Sequence, residues 1–324
     1  MKTAIHLIDD RTPGGVMRMV SFLTSSPDPT CHHSLLDFQD WRRIYPSPDI
    51  IVSHLAVSWR NLPTFLAMRA RFPSARLIHV EHSYTQSFTA MNVANRGRFF
   101  TLLQTSYSLF DSVICVSEAQ TTWMRSRNLV ASHALETCNS IVDFTSFSDV
   151  PPAGPRPKRL GLVGRLDRQK GFDIAIKAFR NLEDRDLELK VFGNGPQEQQ
   201  LKQLALGDTR IKFLGYSSTS HDIYAQVDAV LMPSRWEAFG LVAAEAFAAG
   251  RPVLAANVDA LKDPNRKGIT LVRGHGTGVW VNGLKTFCEN RFSLAPICHS
   301  DAEVWKKKML GKWHDNLAGT YSSA

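Results

Sequence analysis

The chain has no long hydrophobic run, because none of its apolar stretches reaches the roughly 18 residues that cross a bilayer as a helix. Its first ten residues also lack the apolar core and the cleavage site of a signal peptide. Repeats and low-complexity segments are absent from the 324 residues, of which 44% are apolar and 21% are charged. These features predict a globular, cytoplasmic protein with enough chain for two domains.

Cysteine is scarce, and the familiar short catalytic motifs are missing. Cys31, Cys115, Cys138, Cys288 and Cys298 are odd in number and form no C-x-x-C pair, which favours reduced thiols over disulfides or zinc. No H-E-x-x-H or G-x-S-x-G occurs, so metalloprotease and α/β-hydrolase chemistry are poorly supported. No basic run with interleaved aromatic residues indicates nucleic-acid binding. We therefore expect neither a metal site nor a nucleic-acid partner.

Positive charge is concentrated in the second half of the chain. Residues 1–150 hold 13 Lys and Arg against 12 Asp and Glu, so most of the net charge of +8 lies beyond them. A basic C-terminal half suits an anionic ligand or surface, although ordinary solvated charge accounts for the excess equally well.

In residues 1–150, apolar runs that suit buried strands alternate with stretches of helical spacing. The predicted strands are residues 3–8, 50–52, 76–80 and 112–116, and the predicted helices are residues 16–23 and 99–110. Trp59, Leu62, Leu66 and Phe72 also fall near helical spacing. Such alternation implies a parallel sheet with helices on both faces.

Four prolines within residues 149–158 interrupt this pattern, and a second α/β segment follows them. Its predicted strands are residues 159–163, 187–192, 211–214, 229–232 and 269–272, and its predicted helices are residues 173–182, 197–206, 219–226 and 279–287. The sequence thus predicts two Rossmann-like lobes, at 1–150 and 151–300, whose parallel sheets face a central ligand cleft.

A C-terminal helix is predicted within residues 301–324. Trp305, Met309, Trp313 and Leu317 recur every four residues along it. An apolar stripe of this kind predicts a helix that docks on a lobe.

Glu237 and Glu245 stand in the most informative segment. The apolar strand at 229–232 precedes them, and an Ala-rich segment of high helix propensity stops at Gly250. We therefore place Glu237 in a strand-to-helix loop and Glu245 inside the helix. Such a loop lies at the carboxyl edge of a parallel sheet, where a helix N-terminus attracts anions.

Arg165 and Lys170 lie in a glycine-flanked loop, residues 163–171, ahead of a predicted helix. Arg165 can bond two oxygens at once and Lys170 supplies a point charge, so the loop suits a diphosphate. An exposed basic turn is the alternative.

Glycine-rich or polar turns follow other predicted strands. Gly14 and Gly15 can bring backbone N–H groups to a phosphate or a sugar, but their turn is neither a dinucleotide fingerprint nor a P-loop. Gly193 either allows close approach to a ligand or simply makes a turn. Tyr216 suits a nucleobase or ordinary half-buried packing. His82 ends a strand among polar residues, and we expect a functional role for it, although lone histidines are usually structural.

Taken in order, these segments resemble the retaining GT-B glycosyltransferases of family 4 (glycosyl transferases group 1). The matching segments are Gly14-Gly15, residues 113–118, residues 139–143 with Phe147, residues 163–171, 192–196 and 213–216, and Glu237 and Glu245 with residues 250–253. The likeness is thinner across the first lobe. It implies that lobe 1–150 binds the acceptor, that lobe 151–300 binds a nucleotide sugar, and that the C-terminal helix crosses back to the first lobe.

The resemblance also implies a role for each site residue. Arg165 and Lys170 would hold the diphosphate of the donor, Glu245 the ribose hydroxyls and Glu237 the sugar hydroxyls. His82 would approach the sugar near the reacting carbon, so the implied catalytic set is Glu237, His82, Arg165 and Lys170. The other donor contacts would come from Gly14, Gly15, Gly164, Gly193 and Tyr216, and from the backbone of Ala238, Phe239, Gly240 and Leu241.

The implied reaction transfers a sugar, with retention, from a UDP-sugar in preference to a GDP-sugar. The acceptor would be a hydroxyl of a glycan, a lipid-linked glycan or a glycolipid. Fixed cations and helix N–H groups would stabilise the departing diphosphate without a metal or other cofactor. The alternatives are a nucleotide-sugar epimerase, a phosphorylase of the same shape, and an inactive partner subunit that binds nucleotide sugars.

Two segments allow more than one interpretation. Residues 254–263 lack the Gly-Gly that the family commonly has there, which leaves sugar recognition by this segment undecided. Residues 92–103 mix Arg96 and Arg98 with Phe99 and Phe100. They form either a peripheral contact with the anionic inner face of a membrane or an amphipathic core helix.

Overall fold

The computed structural model describes residues 1–12, 14–217 and 219–319, and the chain divides into two compact units. The first unit is Met1–Val142 together with the chain from Lys306 onward, and the second is Asp143–Trp305. The proline-rich segment is anchored on the second unit, because the carbonyl of Pro151 accepts a hydrogen bond from Arg251 at 2.6 Å.

The first unit is built on a parallel sheet. Its strands are β1 (Lys2–Ile8), β2 (Cys31–Asp37), β3 (Ile50–Ser53), β4 (Arg76–Glu81), β5 (Ser112–Cys115) and β6 (Leu135–Thr137). They lie in the order β2-β1-β3-β4-β5-β6, and every neighbouring pair is parallel. Its helices are α1 (Gly15–Ser25), α2 (Leu62–Arg71), α3 (Gln86–Asn92), α4 (Arg96–Tyr107) and α5 (Glu118–Ser126).

The second unit repeats this architecture. Its strands are β7 (Arg159–Val163), β8 (Glu188–Phe192), β9 (Ile211–Gly215), β10 (Ala229–Met232), β11 (Val253–Ala256) and β12 (Ile269–Val272). They form a parallel sheet in the order β12-β11-β10-β7-β8-β9. Its helices are α6 (Phe172–Arg180), α7 (Glu198–Ala205), α8 (Ser220–Ala225), α9 (Leu241–Ala248) and α10 (Thr277–Glu289).

The fold class predicted from the sequence, two Rossmann-like parallel sheets with helices, is confirmed. Strands β3, β5, β10 and β11 are buried at every residue. The sequence of a strand in a parallel sheet is a continuous apolar run, because helices cover both faces of the sheet. That is why these short runs could be recognised in the sequence.

The last helix, α11 (His299–Ala318), begins in the second unit, and its residues from Lys306 belong to the first. The indole of Trp313 is fully buried and donates a hydrogen bond to the carbonyl of Asn139 at 2.8 Å. Leu317 is buried as well, and its carbonyl accepts a hydrogen bond from Arg76. Trp313 and Leu317, two of the four residues of the predicted apolar stripe, thus pack on the first unit.

Two local features of the first unit could not be foreseen from the sequence. Strand β2 was not predicted, because Cys31-His-His-Ser-Leu-Leu-Asp37 is an edge strand with only two buried residues. A helix is present where the spacing of Trp59, Leu62, Leu66 and Phe72 indicated one, but Trp59 and Leu66 are 48% and 50% exposed. Helix α2 instead buries Phe65 and Met68.

No helix in the described part of the chain is long and apolar enough to cross a membrane. Helix α4, which was predicted to begin near residue 99, starts at Arg96, because the side chain of Asn95 caps it by accepting a hydrogen bond from the N–H of Arg98. Phe99 and Phe100 pack against the core of the first unit, whereas Arg96 and Arg98 are exposed. The apolar side of α4 is thus part of the core of this unit, while its two arginines remain on the surface.

Candidate active site

The predicted donor-binding residues of the second unit lie in loops that follow neighbouring strands. Arg165 and Lys170 follow β7, Gly193 follows β8, Tyr216 follows β9 and Glu237 follows β10. All four strands are parallel, so their carboxyl ends meet at one edge of the sheet. Ligands of open α/β sheets bind at this edge.

A largely buried ion pair at this edge joins Lys170 to Glu237. The Nζ atom of Lys170 lies 2.7 Å from Oε2 of Glu237, and the side chains are only 18% and 9% exposed. The hydroxyl of Ser234 donates to the same carboxylate oxygen at 3.3 Å. The structure therefore brings together a cation and a carboxylate that the sequence places 67 residues apart.

Hydrogen bonds and an ion pair fix the two loops against each other. The N–H of Arg235 donates to the carbonyl of Gln169 at 2.7 Å. The guanidinium of Arg235 also makes two parallel hydrogen bonds, both 2.9 Å, to the carboxylate of Asp173 at the start of α6. Bidentate pairs of this kind combine energy with a defined orientation. Lys170 and Glu237 are thus held in place by their backbones as well as by each other.

A glycine allows this close approach. Gly171 has a φ of +66°, and a Cβ atom there would lie 2.3 Å from the carbonyl oxygen of Pro233. Any other residue would push the loop of Lys170 away from the loop of Glu237.

The glycine-rich turn after β8 has a structural explanation. Gly193 has a φ of +129°, and a Cβ atom there would lie only 1.9 Å from the carbonyl oxygen of Gly164. The N–H of Gly164 in turn donates to the carbonyl of Phe192 at 3.0 Å. The contact between the two loops is enough to require glycine, so of the two explanations offered for Gly193 the turn is the one that this geometry supports.

Arg165 lies at the surface of its loop. Its side chain is 61% exposed, and its Nε atom lies 2.5 Å from Oδ2 of Asp167. An incoming anion would therefore have to compete with, or share, the carboxylate of Asp167.

Helix α9 starts at this edge and adds partial positive charge to it. Gly240, with a φ of +82°, precedes the first turn. Arg266 donates to the carbonyl of Phe239 at 2.6 Å, and its guanidinium carbon lies 4.6 Å from the centre of the Phe239 ring. Burial lowers the pKa of Arg266. Ala238 and Phe239 are buried, whereas Leu241 is half-buried.

Glu245 lies inside α9, as predicted, and it is only 2% exposed. The hydroxyl of Tyr224 donates to Oε2 of Glu245 at 2.9 Å. Tyr216, in contrast, is 54% exposed. The position of Glu245 in the helix followed from spacing, but its partner Tyr224 lies on α8 and could not be identified from the sequence.

The divergent segment after β11 contributes a contact that the sequence did not reveal. Asp259 is buried, has a φ of +38°, and accepts a hydrogen bond from the N–H of Glu237 at 3.0 Å. A non-glycine residue with positive φ is uncommon, and Asp and Asn are enriched among such residues. Residues 254–263 therefore help to orient the loop of Glu237 even without the Gly-Gly of the family.

The remaining predicted site residues lie in the first unit. Gly14 and Gly15 are at the start of α1, and His82 follows β4. The Nε2 atom of His82 lies 2.9 Å from Nδ1 of His54. The neighbouring Glu81 is buried and accepts hydrogen bonds from the N–H groups of Ser83 and Tyr84. Glu81 therefore has a structural role.

A cavity of about 690 Å³ in the second unit lies at the opposite edge of the sheet, where strands begin. Arg159, which lines it, makes hydrogen bonds of 2.6 and 3.1 Å to Asp228, and Lys158 lies 3.2 Å from Asp186. These two cations are already paired, and the cavity lies away from the carboxyl ends of the strands. We therefore do not assign the donor site to this cavity.

Residues 157–289 match the family model described as Glycosyl transferases group 1. An uncharacterized glycosyltransferase of Methanocaldococcus jannaschii is 35% identical over 130 residues, which cover 38% of this chain and 32% of that protein. The D-inositol 3-phosphate glycosyltransferase of Nocardia farcinica is 32% identical over 188 residues, which cover 51% of this chain and 40% of that protein. The matched regions thus span less than half the length of these relatives.

Among solved structures, Anabaena HepE in complex with UDP and glucose has the same fold. It superposes with a TM-score of 0.71 over 98% of this chain and 100% of that chain, at 17% sequence identity. The GT-B fold that the sequence implied is thereby confirmed.

Proposed function

We propose that the protein is a retaining glycosyltransferase that uses a nucleoside-diphosphate sugar, because residues 157–289 match the glycosyl transferases group 1 model. UDP is favoured over GDP, and the acceptor is a hydroxyl of a glycan, a lipid-linked glycan or a glycolipid. The observation that carries this proposal is the 2.7 Å pair of Lys170 and Glu237, held at the carboxyl edge of the sheet beside the start of α9.

This pair suits an exchange of partners when the donor binds. A diphosphate carries more negative charge than one carboxylate, so it competes for the ammonium of Lys170 and for the guanidinium of Arg165. The contact between Glu237 and Lys170 then weakens, so the carboxylate of Glu237 can accept hydrogen bonds from sugar hydroxyls. The site thus keeps its charges paired both before and after the donor arrives.

The same groups suit the chemical step. As the bond between sugar and diphosphate breaks, negative charge grows on the departing phosphate. Lys170, Arg165 and the N-terminus of α9 are fixed before the reaction begins, so they stabilise that charge without reorganisation. We propose that these groups act without a metal, and that the leaving phosphate takes the proton of the acceptor hydroxyl on the same face of the sugar. No separate general base is then needed.

The other donor contacts are proposed by residue. Glu245, oriented by the hydroxyl of Tyr224, binds the ribose hydroxyls. Tyr216 contacts the base. The backbone of residues 238–241 meets the sugar and the phosphate. As the family resemblance implies, Gly14, Gly15 and His82 are further donor contacts.

Saturation-transfer NMR against UDP- and GDP-sugars tests the donor class. We expect signals from UDP-sugars that free UDP displaces, and we expect both the signals and turnover to persist in EDTA. Signals from GDP-sugars alone would show that the donor nucleotide is GDP and not UDP. The absence of signals from any nucleotide sugar would contradict the proposed function and favour an inactive partner subunit. A new nucleotide sugar formed without acceptor would indicate an epimerase, and strict dependence on a divalent ion would refute the metal-free mechanism.

Peripheral contact with an anionic membrane is a separate proposal, supported by the exposure of Arg96 and Arg98. Arg98 lies 5.4 Å from the ring of Trp59, and both line a cavity of about 280 Å³. We expect replacement of Arg96 and Arg98 by Gln to reduce co-sedimentation with anionic vesicles, as charge attraction requires. Arg156→Gln with Arg291→Gln, which removes two exposed arginines of the second unit, is the matched control. If the Arg96 and Arg98 variant sediments with the vesicles as much as the wild type does, this surface does not bind the membrane.

A further inference from the structure

Four histidines cross the first sheet in a line, one from each of four neighbouring strands. His33 lies in β2, His6 in β1, His54 directly after β3, and His82 directly after β4. Asp28 lies at the β2 end of the line. We call Asp28, His33, His6, His54 and His82 the histidine relay.

The histidines are joined head to tail. Nε2 of His6 lies 3.1 Å from Nδ1 of His33, Nε2 of His54 lies 2.9 Å from Nδ1 of His6, and Nε2 of His82 lies 2.9 Å from Nδ1 of His54. Every contact therefore joins an Nε2 atom to an Nδ1 atom. A neutral imidazole carries its proton on one nitrogen only, so the direction of the first hydrogen bond fixes all the others.

Asp28 determines that direction. Its Oδ1 atom accepts hydrogen bonds from the N–H and the hydroxyl of Thr30, at 2.8 and 2.7 Å, and its Oδ2 atom lies 3.0 Å from Nε2 of His33. Burial alone would raise the pKa of Asp28, but the hydrogen bonds from His33 and Thr30 lower it to about 2. The carboxylate is therefore ionised at neutral pH and can only accept, so Nε2 of His33 must be the donor.

Burial keeps His6, His54 and His82 neutral. It lowers the pKa of His6 to about 3 and that of His82 to about 4, and it lowers the pKa of His54 well below its ordinary value. Each of these rings then carries one proton at neutral pH. A neutral His33 that donates from Nε2 to Asp28 accepts at Nδ1 from Nε2 of His6. The proton is then on Nε2 in every ring, and Nδ1 of His82 carries none.

We propose that Asp28, acting through the three intervening histidines, fixes the tautomer of His82 and holds its Nδ1 atom as a hydrogen-bond acceptor. In the described part of the chain this atom makes no hydrogen bond to protein. An unprotonated Nδ1 suits the hydroxyl of a sugar. This last role rests on the proposed function, whereas the tautomer itself does not.

The charged and titratable neighbours of His82 leave this assignment intact. The carboxylate of Glu81 accepts hydrogen bonds from Tyr107 at 2.6 Å and from two backbone N–H groups, and it lies 3.4 Å from Nε2 of His79. Its oxygens are occupied by these partners. Asp28 is therefore the only carboxylate hydrogen-bonded to the relay among the described residues.

The tautomers can be measured directly in the full-length protein labelled with ¹⁵N-histidine. Two-bond ¹H–¹⁵N correlation spectra at neutral pH are expected to show the Nε2–H form for all four relay histidines. The signal of His82 is identified by its loss in His82→Gln. An Nδ1–H form of His82 in the wild-type protein would overturn the proposal, and this result needs no variant of the relay that has to fold.

Two substitutions of His6 separate positioning from packing. His6→Phe keeps a ring but breaks the line, so His54 can reverse and His82 is expected to become a mixture of both tautomers. His6→Gln is expected to restore the Nε2–H form, because its amide oxygen accepts from His54 and its amide nitrogen donates to His33. His32→Gln, at an exposed residue of β2, is the matched control. Identical His82 spectra in His6→Phe and wild type would refute the relay.

Activity provides an independent readout. His6→Phe is expected to lower kcat by on the order of 10–100-fold while nucleotide affinity stays unchanged, and His6→Gln is expected to recover most of that loss. A fixed tautomer in a protein without transferase activity would refute the proposed function and leave the relay standing. Random tautomers in an active enzyme would refute only the relay.

Zinc binding is the competing explanation for one end of the line. Asp28, Cys31 and His33 offer ligand atoms within 4.8 Å of one another. Burial, however, raises the pKa of the Cys31 thiol to about 11, which disfavours the thiolate that a metal requires. Stoichiometric zinc binding that shifts the Nε2 signal of His33 would overturn the relay, whereas an unchanged spectrum on zinc addition would support it.

Discussion

Replacing Glu237 with Gln is expected to lower kcat by roughly 10²–10³-fold, the loss typical of removing one preorganised charge-stabilising contact. Affinity for free UDP is expected to stay within about tenfold of wild type, because Gln keeps the shape of the side chain and leaves Lys170 available to the diphosphate. Turnover measured with saturating donor, together with titration calorimetry of UDP, separates these two effects. Equal losses in turnover and in UDP affinity would show that Glu237 does not bind the sugar.

The partner substitution should behave differently. Lys170→Met is expected to weaken UDP binding by about 10–100-fold, the equivalent of one hydrogen bond to a charged group, and to lower turnover as well. The pair Lys202 and Glu198 is a matched control in the same unit, since it has the same 2.7 Å separation but is exposed on α7. Lys202→Met and Glu198→Gln should leave both quantities near wild type, because exposed ion pairs contribute little.

The position of Glu237 and Lys170 in the fold could be predicted well, because it depends on local sequence patterns. Glu237 and Lys170 each follow a buried apolar strand, so their place at the carboxyl edge could be derived from the strand pattern alone. Their direct contact could not, because it depends on how β7 and β10 are paired. The same holds for Asp259, which is 22 residues from Glu237 along the chain and binds its backbone.

The first unit shows where sequence patterns fail. Trp59 and Leu66 have helical spacing, but the helix starts at Leu62 and turns Phe65 inward instead. Strand β2 was missed because its polar residues resemble a loop. The histidine relay depends on the order β2-β1-β3-β4, and strand order is not written in local periodicity. His82 could be singled out from the sequence, but its connection to His54, His6 and His33 could not be predicted before the sheet placed the four side by side.

The histidine relay and the proposed donor edge, which is the carboxyl edge of the second sheet, share one physical design. In both, a charged side chain is paired within the protein, Asp28 with His33 and Lys170 with Glu237. Pairing limits the cost of burying these groups and fixes their orientation before any ligand binds. The difference lies in what happens next. At the donor edge the pair is proposed to open, whereas in the relay it stays closed and transmits its orientation to His82.

Acidification is expected to destabilise the first unit between pH 6.5 and about pH 4. Burial lowers the pKa of His6 from 6.5 to about 3 and that of His82 from 6.5 to about 4, and the pKa of His54 is lowered too. The unfolded chain takes up these protons below pH 6.5, while the folded chain does not. Their contribution is therefore fully present above pH 6.5 and is lost as pH falls, by roughly 1.4 kcal/mol per pH unit for each histidine.

Hydrogen exchange of β1 amides, measured over this pH range, gives the free energy of opening of the first unit. His6→Phe is expected to reduce the slope of this opening free energy against pH by the equivalent of about one proton. The substitution also lowers stability at every pH, so the slope and not the absolute free energy is compared. His133→Phe, at an exposed histidine, should leave the slope unchanged. Asp28 acts in a different window, since its lowered pKa of about 2 makes its contribution fall only below its ordinary value of 3.8. A slope that His6→Phe does not alter would mean that His6 is protonated in the folded protein, and the neutral relay would then be wrong.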